Sequence, residues 1–460
     1  MAPINNWSIL TMTAGGLRNR FTTMTRLSDT IRPAAWTPFR RLWCAATISR
    51  LGDGVVLLTL PLLAKALTDS PAAVAGVAIA EALPWLVLGL LGGALVDRLD
   101  RRRVMLAADG FRAVLMVVMA VAVVGGWITL PLIYGGAFLL GTGEAFFDSA
   151  AQAILPDLVD DDHLEQANAQ LSSSEIVMFQ LAGPPLGALL FLGAAFLPLA
   201  VNAASFAVAV GLVATVSGSF RARTPAAQSN AHTPARALLR EVGDGLRWLG
   251  GNRVLRTIAA MQGAMNLFFT AALSVFAIFA LDVLGAGEFG YGLIFSVGAI
   301  GGLLGCATAT TLSRLIGSGT AMVGAILVTG AAFVTIALAR SAMATACLFA
   351  VVFYSAGVWT VLTSALRQRI VPASLAGRVT SAFRTISMGT IPVGGAIGGL
   401  LGTVFGTGSP FLFGGIAMIA LGIPARRVIN NRSIDAARGS AMPRVGGALA
   451  YGPVRAIEQG

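Results

Sequence analysis

Six charges crowd into the seven residues Asp97-Arg98-Leu99-Asp100-Arg101-Arg102-Arg103, between two long apolar runs. The run before them, Ala72 to Val96, contains one ionisable residue, Glu81; the run after them, Val104 to Val124, contains Asp109 and Arg112. About 20 apolar helical residues cross the hydrocarbon core of a bilayer. The charges therefore read as a tight polar turn between two membrane spans. The rest of the chain repeats the pattern: it is 56% hydrophobic and 12% charged, against about 25% charged residues in soluble globular proteins. Its 55 glycines suit helices that approach one another closely inside a membrane. The apolar runs are continuous, unlike the roughly ten-residue alternating segments of a transmembrane β-barrel, and exclude that architecture.

Hydropathy predicts twelve spans: about 42–67, 72–96, 104–124, 129–150, 172–194 and 196–217 in the first half, and about 257–281, 291–312, 319–338, 342–366, 380–404 and 409–424 in the second. The expected organisation is an N-terminal tail (1–41), a six-helix bundle (42–218), a linker (219–256), a second bundle (257–424) and a C-terminal tail (425–460). The linker carries an amphipathic stretch near Leu238–Leu249, and the tail after Pro424 is expected to be mobile. Shifted by 216 residues, Gly76 falls on Gly292, Asp97-Arg98 on Ser313-Arg314, and Gln152-Ala-Ile-Leu-Pro156 on Gln368-Arg-Ile-Val-Pro372. Parallel six-helix repeats place a cavity near the midplane between the halves.

The two tails and the even-numbered connections carry 27 of the 32 Lys and Arg residues. By the positive-inside rule both termini are expected in the cytoplasm, in a multi-pass protein of the inner (cytoplasmic) membrane. The net charge of +11 is then a topology signal, and no nucleic-acid partner is expected. No cleavable signal precedes the first span. Cys44, Cys306 and Cys347 lie within spans without paired spacing, and His163 and His232 fall on connections; neither a disulfide framework nor a metal site is suggested. The one lysine, Lys65, sits in an external turn, so no Gly-rich phosphate loop ending in Lys-Ser/Thr exists. No cofactor and no enzyme activity are expected.

Ionisable residues inside spans are costly and tend to persist where they face a cavity or a partner. Asp53 lies near the middle of span one with Arg50 one turn away; they are read either as a pair that packs the bundle or as a site where Asp53 alternately binds a proton or a cation. Glu81 in span two and Glu144 in span four are further coupling candidates, Glu144 one turn from Asp148 and alternatively a partner for Arg112. Arg50, Trp85, Phe147, Phe179, Phe269 and Trp359, with Gln180, Gln262 and Asn266 as polar groups, are candidates to line the cavity, since ligand pockets are mostly apolar with a few placed polar groups.

Gly93, Leu95, Asp97, Arg98, Arg101 and Arg102 resemble the Gly-x-Leu-Ala-Asp-Arg-x-Gly-Arg-Arg motif between helices two and three of the major facilitator superfamily, with Val96 for alanine and Asp100 for glycine. Gly183-Pro184-Pro185-Leu186-Gly187 is similar to the Gly-Pro-x-x-Gly motif of drug/proton antiporters. Ser49-Arg-Leu-Gly-Asp53, Leu155-Pro-Asp-Leu158, Arg367-Gln-Arg-Ile-Val-Pro372 and Gly377-Arg-Val379 resemble the branch of enterobactin exporters and macrolide-efflux proteins. The resemblance implies an all-α membrane fold of two pseudo-symmetric six-helix bundles. It also implies a gating latch: Asp97 at the N-terminus of span eleven, where the helix dipole favours an anion, and Arg101 and Arg102 paired with Asp148. The arginine that many antiporters carry in span four is missing, with Glu144 nearby.

The expected protein is a secondary transporter, a monomer in the lipid bilayer that exports a small amphiphilic molecule, such as a drug, siderophore or secondary metabolite, in exchange for protons by alternating access. Uptake or facilitated diffusion of a nutrient, and a non-transporting membrane sensor, are the alternatives.

Overall fold

The computed structural model describes residues 36–96, 99–160, 163–218, 220, 234–372 and 375–434, and every regular element among them is helical. In the first half these are α1 (Trp36–Leu57), α2 (Thr59–Leu67), α3 (Pro71–Val96), α4 (Arg101–Val124), α5 (Leu130–Ile154), α6 (Leu164–Ser174), α7 (Gly183–Gly193) and α8 (Leu197–Ala214). A π-helical segment, Glu175–Ala182, joins α6 to α7. The amphipathic helix α9 (Pro234–Gly251) follows. The second half comprises α10 (Arg253–Ser274), α11 (Gly287–Ile316), α12 (Ser318–Leu338), α13 (Ala342–Ile370), α14 (Ala376–Phe405) and α15 (Ser409–Ala425).

A helix, or a broken helix, lies at each of the twelve predicted spans. Among the described residues nine are long and apolar enough to cross a membrane, or ten when α10 and its continuation Phe276–Val283, bent by 49°, count as one. Pro71–Trp85 and Ser409–Ala425 are shorter apolar helices. Pro61 explains the interruption between α1 and α2: it has no N–H for the carbonyl of Leu57, four residues earlier, and the helix restarts at Thr59.

Helices of the first half pack on one another, α1 on α7 and α8, α3 on α5, and α4 on α5 and α8. In the second half α11 packs on α13, α10 on α14, and α12 on α13 and α15. Missing side chains permit the closest crossings. A Cβ at Gly183 would lie 2.5 Å from the backbone of Gly54, and one at Gly357 2.6 Å from the carbonyl of Gly302. An aromatic cluster fills the second half around Phe276, whose ring stacks on Phe349 at 4.6 Å and meets Phe411 edge-on at 5.9 Å.

The halves meet mainly through α3 against α14 and α7 against α11. These contacts gather at the end that carries the odd-numbered connections. Gly399 faces Ala72 and Ala75, Gly292 faces Pro184 and Pro185, and Lys65 Nζ bridges to Asp282 at 3.0 Å. At the opposite end α9 lies along the start of α14, with Asp244 3.7 Å from Arg378.

Two expectations are corrected. The first helix begins at Trp36, inside the predicted tail. The chain beyond Pro424 is packed as far as Ile434: Ile429 and Ile434 are buried, and Asn431 Oδ1 accepts from the backbone N–H of Gly319 at 2.8 Å. That amide is one of the orphan donors of the α12 N-terminus, which gives the segment its anchor.

Candidate functional site

Helix α1 delivers Ser49, Arg50 and Asp53 to the interior of the first half, where α4 and α5 meet them with opposite ends of one ion-pair chain. Glu144 and Asp148 stand four residues apart on α5, hence on one face. The forked guanidinium of Arg50 takes both: Nη1 bonds Glu144 Oε1 at 2.7 Å and Nη2 bonds Asp148. Arg50 reaches Asp53 only at 4.0 Å. The expected Arg50–Asp53 pair is therefore the weakest contact of this arginine, because α5 presents two carboxylates closer than α1 presents one.

Asp53 turns to α4 instead. Arg112, with no exposed surface, places Nη1 3.4 Å from Asp53 and Nη2 3.4 Å from Ser49 Oγ, and it also pairs with Asp109 one turn earlier. Its guanidinium lies over the rings of Phe206 and Phe147, at 4.2 and 5.2 Å, where ring quadrupoles attract a cation. Arg112 Nε and Asp109 Oδ2 have no hydrogen-bond partner among the described residues. The chain thus runs Asp109–Arg112–Asp53–Arg50–Glu144/Asp148, four carboxylates against two guanidiniums. Glu81 on α3 is within electrostatic reach of Glu144 and Asp53 and has no hydrogen bond or ion pair among the described residues.

Arg112 and Asp109 were absent from the expected site residues. Their signal was visible, two ionisable side chains three residues apart in an otherwise apolar span. Their convergence with Asp53, more than fifty residues away in sequence, was not.

The expected latch contacts between Asp148 and the turn arginines are not made in this conformation. Arg101 bonds Asp157 at 2.7 Å, and Arg102 donates to the carbonyls of Val213 and Ala214 at the end of α8. A helix C-terminus attracts a cation, and Asp148 lies nine residues before Asp157, inside α5, whereas Asp157 falls in the short turn of 3-10 helix after its end. Asp148 is already held by Arg50. Asp97 and Arg98 lie outside the described residues; Gly93 sits in the last turn of α3, its surroundings also outside them.

Gly183 and Gly187 pack on the backbone of α1, at Gly54 and Val55. Pro184 and Pro185 face the second half. Proline at 185 leaves the carbonyl of Leu181 without its helical donor, and Ser296 Oγ of α11 bonds that carbonyl at 3.0 Å. The motif thus joins the halves through a serine that the sequence did not single out.

A cavity of about 340 Å³ lies between the π-helical segment and the second half. Gln180, Gln262, Asn266, Phe269 and Trp359 line it, with Phe353, Met265 and Met418. Its polar groups form a chain: Trp359 Nε1 donates to Gln262 Oε1 at 2.6 Å, Gln262 Nε2 to Asn266 Oδ1 at 3.0 Å, and Asn266 Nδ2 to the Ser387 carbonyl at 3.2 Å. The remaining candidates go elsewhere. Arg50 and Phe147 border a smaller recess with Asp148 and Glu175, Phe147 being held beneath Arg112. Trp85 and Phe179 line neither; the Phe179 backbone packs on Gly54.

A family model described as "Transmembrane secretion effector" matches residues 28–444. The multidrug efflux pump Tap of Mycolicibacterium fortuitum is 27% identical over 421 residues, covering 87% of this chain and 98% of that protein. An uncharacterized MFS-type transporter of Sinorhizobium fredii, y4rN, is 27% identical over 378 residues, covering 78% and 87%. In fold the chain is similar to the crystal structure of the nucleoside transporter NupG, with a TM-score of 0.67 at 14% identity over 85% of this chain and 99% of that one.

Proposed function

Because the chain belongs to the transmembrane secretion effector family of the major facilitator superfamily, and is therefore a multi-pass membrane transporter and not an enzyme, we propose that it exports a small amphiphilic molecule in exchange for protons. One observation carries the reading: a cavity lined from both halves, with the contacts between halves gathered at one end of the molecule. That is the geometry of alternating access around a central site. Residues 42–218 and 257–424 are the rocking units in this scheme, joined by 219–256, and the protein works as a monomer in the cytoplasmic membrane with both termini in the cytoplasm. The closed end then faces outward.

Export is favoured by the efflux pump among the relatives and by the Gly183–Gly187 motif at the seal. Proton coupling is favoured by the ion-pair chain, which carries two more carboxylates than guanidiniums when all are ionised. A bound proton or cation relieves that imbalance, and Asp53, Glu81 and Glu144 are the residues we assign to it. Asp97, Arg98, Arg101 and Arg102, with Gly93, remain the proposed gating turn; its pairing with Asp148 belongs in this scheme to the state closed toward the cytoplasm.

The test is efflux from loaded cells with and without an imposed proton gradient, for wild type, Asp53→Asn and Glu81→Gln. Gradient-dependent efflux that either variant uncouples is expected. Efflux indifferent to the gradient and to both substitutions would point to facilitated diffusion.

A further inference from the structure

The membrane-embedded charges and the cavity are on different sides of the molecule. Every ion pair of the buried chain joins α1, α4 and α5, while the cavity wall belongs mostly to α10, α11 and α13 and, among the described residues, contains no acidic or basic side chain. A charged group moved from water into an apolar site without a partner is expensive, so this wall rejects an ion unless its aromatic faces accept one. The rings of Phe269 and Phe353 already pack on other rings, and Trp359 is almost fully buried. Phe269 meets Phe353 edge-on at 5.6 Å and stacks with Phe333 at 6.4 Å, and Phe353 stacks with Phe349 at 6.1 Å.

The polar chain leaves a defined remainder. Gln262 spends its oxygen on Trp359 and one N–H on Asn266, and Asn266 spends its Nδ2 on Ser387. One N–H and one lone pair of Gln262 and one lone pair of Asn266 are left, since an amide has two donors and two acceptor sites and Asn266 Nδ2 serves both the carbonyl and the hydroxyl of Ser387. Across the cavity Gln180, from the first half, has no hydrogen bond among the described residues. The wall therefore offers paired donors and acceptors with no net charge.

We infer that the cargo is an electrically neutral, largely apolar molecule bearing an amide-like group, held between Gln180 of the first half and Gln262 of the second. This rests on the reading of the cavity as the cargo site. It assigns the charged half to ion coupling and the neutral half to cargo recognition. Cargo bridging Gln180 and Gln262 contacts both halves, and so senses their relative position.

Photolabelling of the full chain in lipid nanodiscs tests it with two benzophenones of similar shape, neutral 4-benzoylbenzamide and cationic (4-benzoylbenzyl)trimethylammonium, and with mapping of the labelled peptides. The amide is expected to label Met265 or Met418, the cation at least fivefold less. Gln180→Leu should reduce the amide label. Gln262→Glu should invert the preference, a gain of cation labelling that misfolding does not produce. Equal labelling of the cavity by both probes, or cavity labelling by neither, overturns the inference. Cavity labelling without transport in the gradient experiment would instead overturn the exporter reading and leave the neutral site standing.

Discussion

Replacing Arg112 with methionine removes the cation paired directly with Asp109 and the closest cation to Asp53, at a site with no exposed surface. Breaking a buried ion pair from one side typically costs 3–5 kcal/mol, because the surviving charge stays buried without a partner. Two carboxylates lose their guanidinium here, but Asp53 retains Arg50 at 4.0 Å, so most of the loss falls on Asp109. Losing the contact over Phe206 adds about 1 kcal/mol. The expected destabilisation is about 4–6 kcal/mol, a large share of the 5–15 kcal/mol typical of a folded domain. The assay is denaturant-induced unfolding of purified protein in mixed micelles, read for wild type, Arg112→Met, Asp109→Asn and the double variant. If Asp109 is the stranded charge, the double variant should recover at least 2 kcal/mol relative to Arg112→Met, a coupling energy of the size that contacting residues show. A single-variant loss below about 1 kcal/mol, or a double variant as unstable as the single, would refute the view that burial makes this pair interdependent.

At the α1–α7 crossing, Gly183→Leu should cost about 1–3 kcal/mol by overpacking against the Gly54 backbone, whereas Gly110→Ala, with nothing within 4 Å of the added Cβ, should be neutral in the same unfolding assay. Ser296→Ala removes the donor to the Leu181 carbonyl and Lys65→Met removes the bridge to Asp282. With each contact worth about 1 kcal/mol, each variant should shift the closed-to-open ratio at that end roughly fivefold, read by electron-spin distances between labels on α2 and α11. An unchanged distance distribution in both would show that packing alone holds the seal. Arg101→Ala should change stability by less than about 1 kcal/mol, the range of exposed pairs, since Asp157 is 40% exposed; a loss of 3 kcal/mol or more in the unfolding assay would mark it as part of the buried chain.

The all-helical membrane fold and the order of its helices were legible because lipid allows so few solutions: a continuous apolar run is a helix wherever it falls, although nine or ten of the described helices, not twelve, are long and apolar enough to cross. The Gly183–Gly187 pattern was legible as a close crossing for the same reason, since glycine removes the atoms that would keep two backbones apart. The cavity was half legible. Gln180, Gln262, Asn266, Phe269 and Trp359 line it, but Phe147 looked equally suited and packs beneath Arg112. An aromatic ring in a span carries no mark of whether it meets lipid, a charge or a cargo.

Sequence by itself determined the class of molecule, the run of its helices and which residues inside the bilayer carry charge. Only the tertiary structure decided how those charges pair. Asp148 goes to Arg50 and not to the arginines of the turn, Asp53 goes to Arg112, and Trp359 finds Gln262. The physical reason is range. Hydropathy acts residue by residue along the chain, whereas an ion pair or hydrogen bond exists only within a few ångströms, a distance set by how whole helices pack.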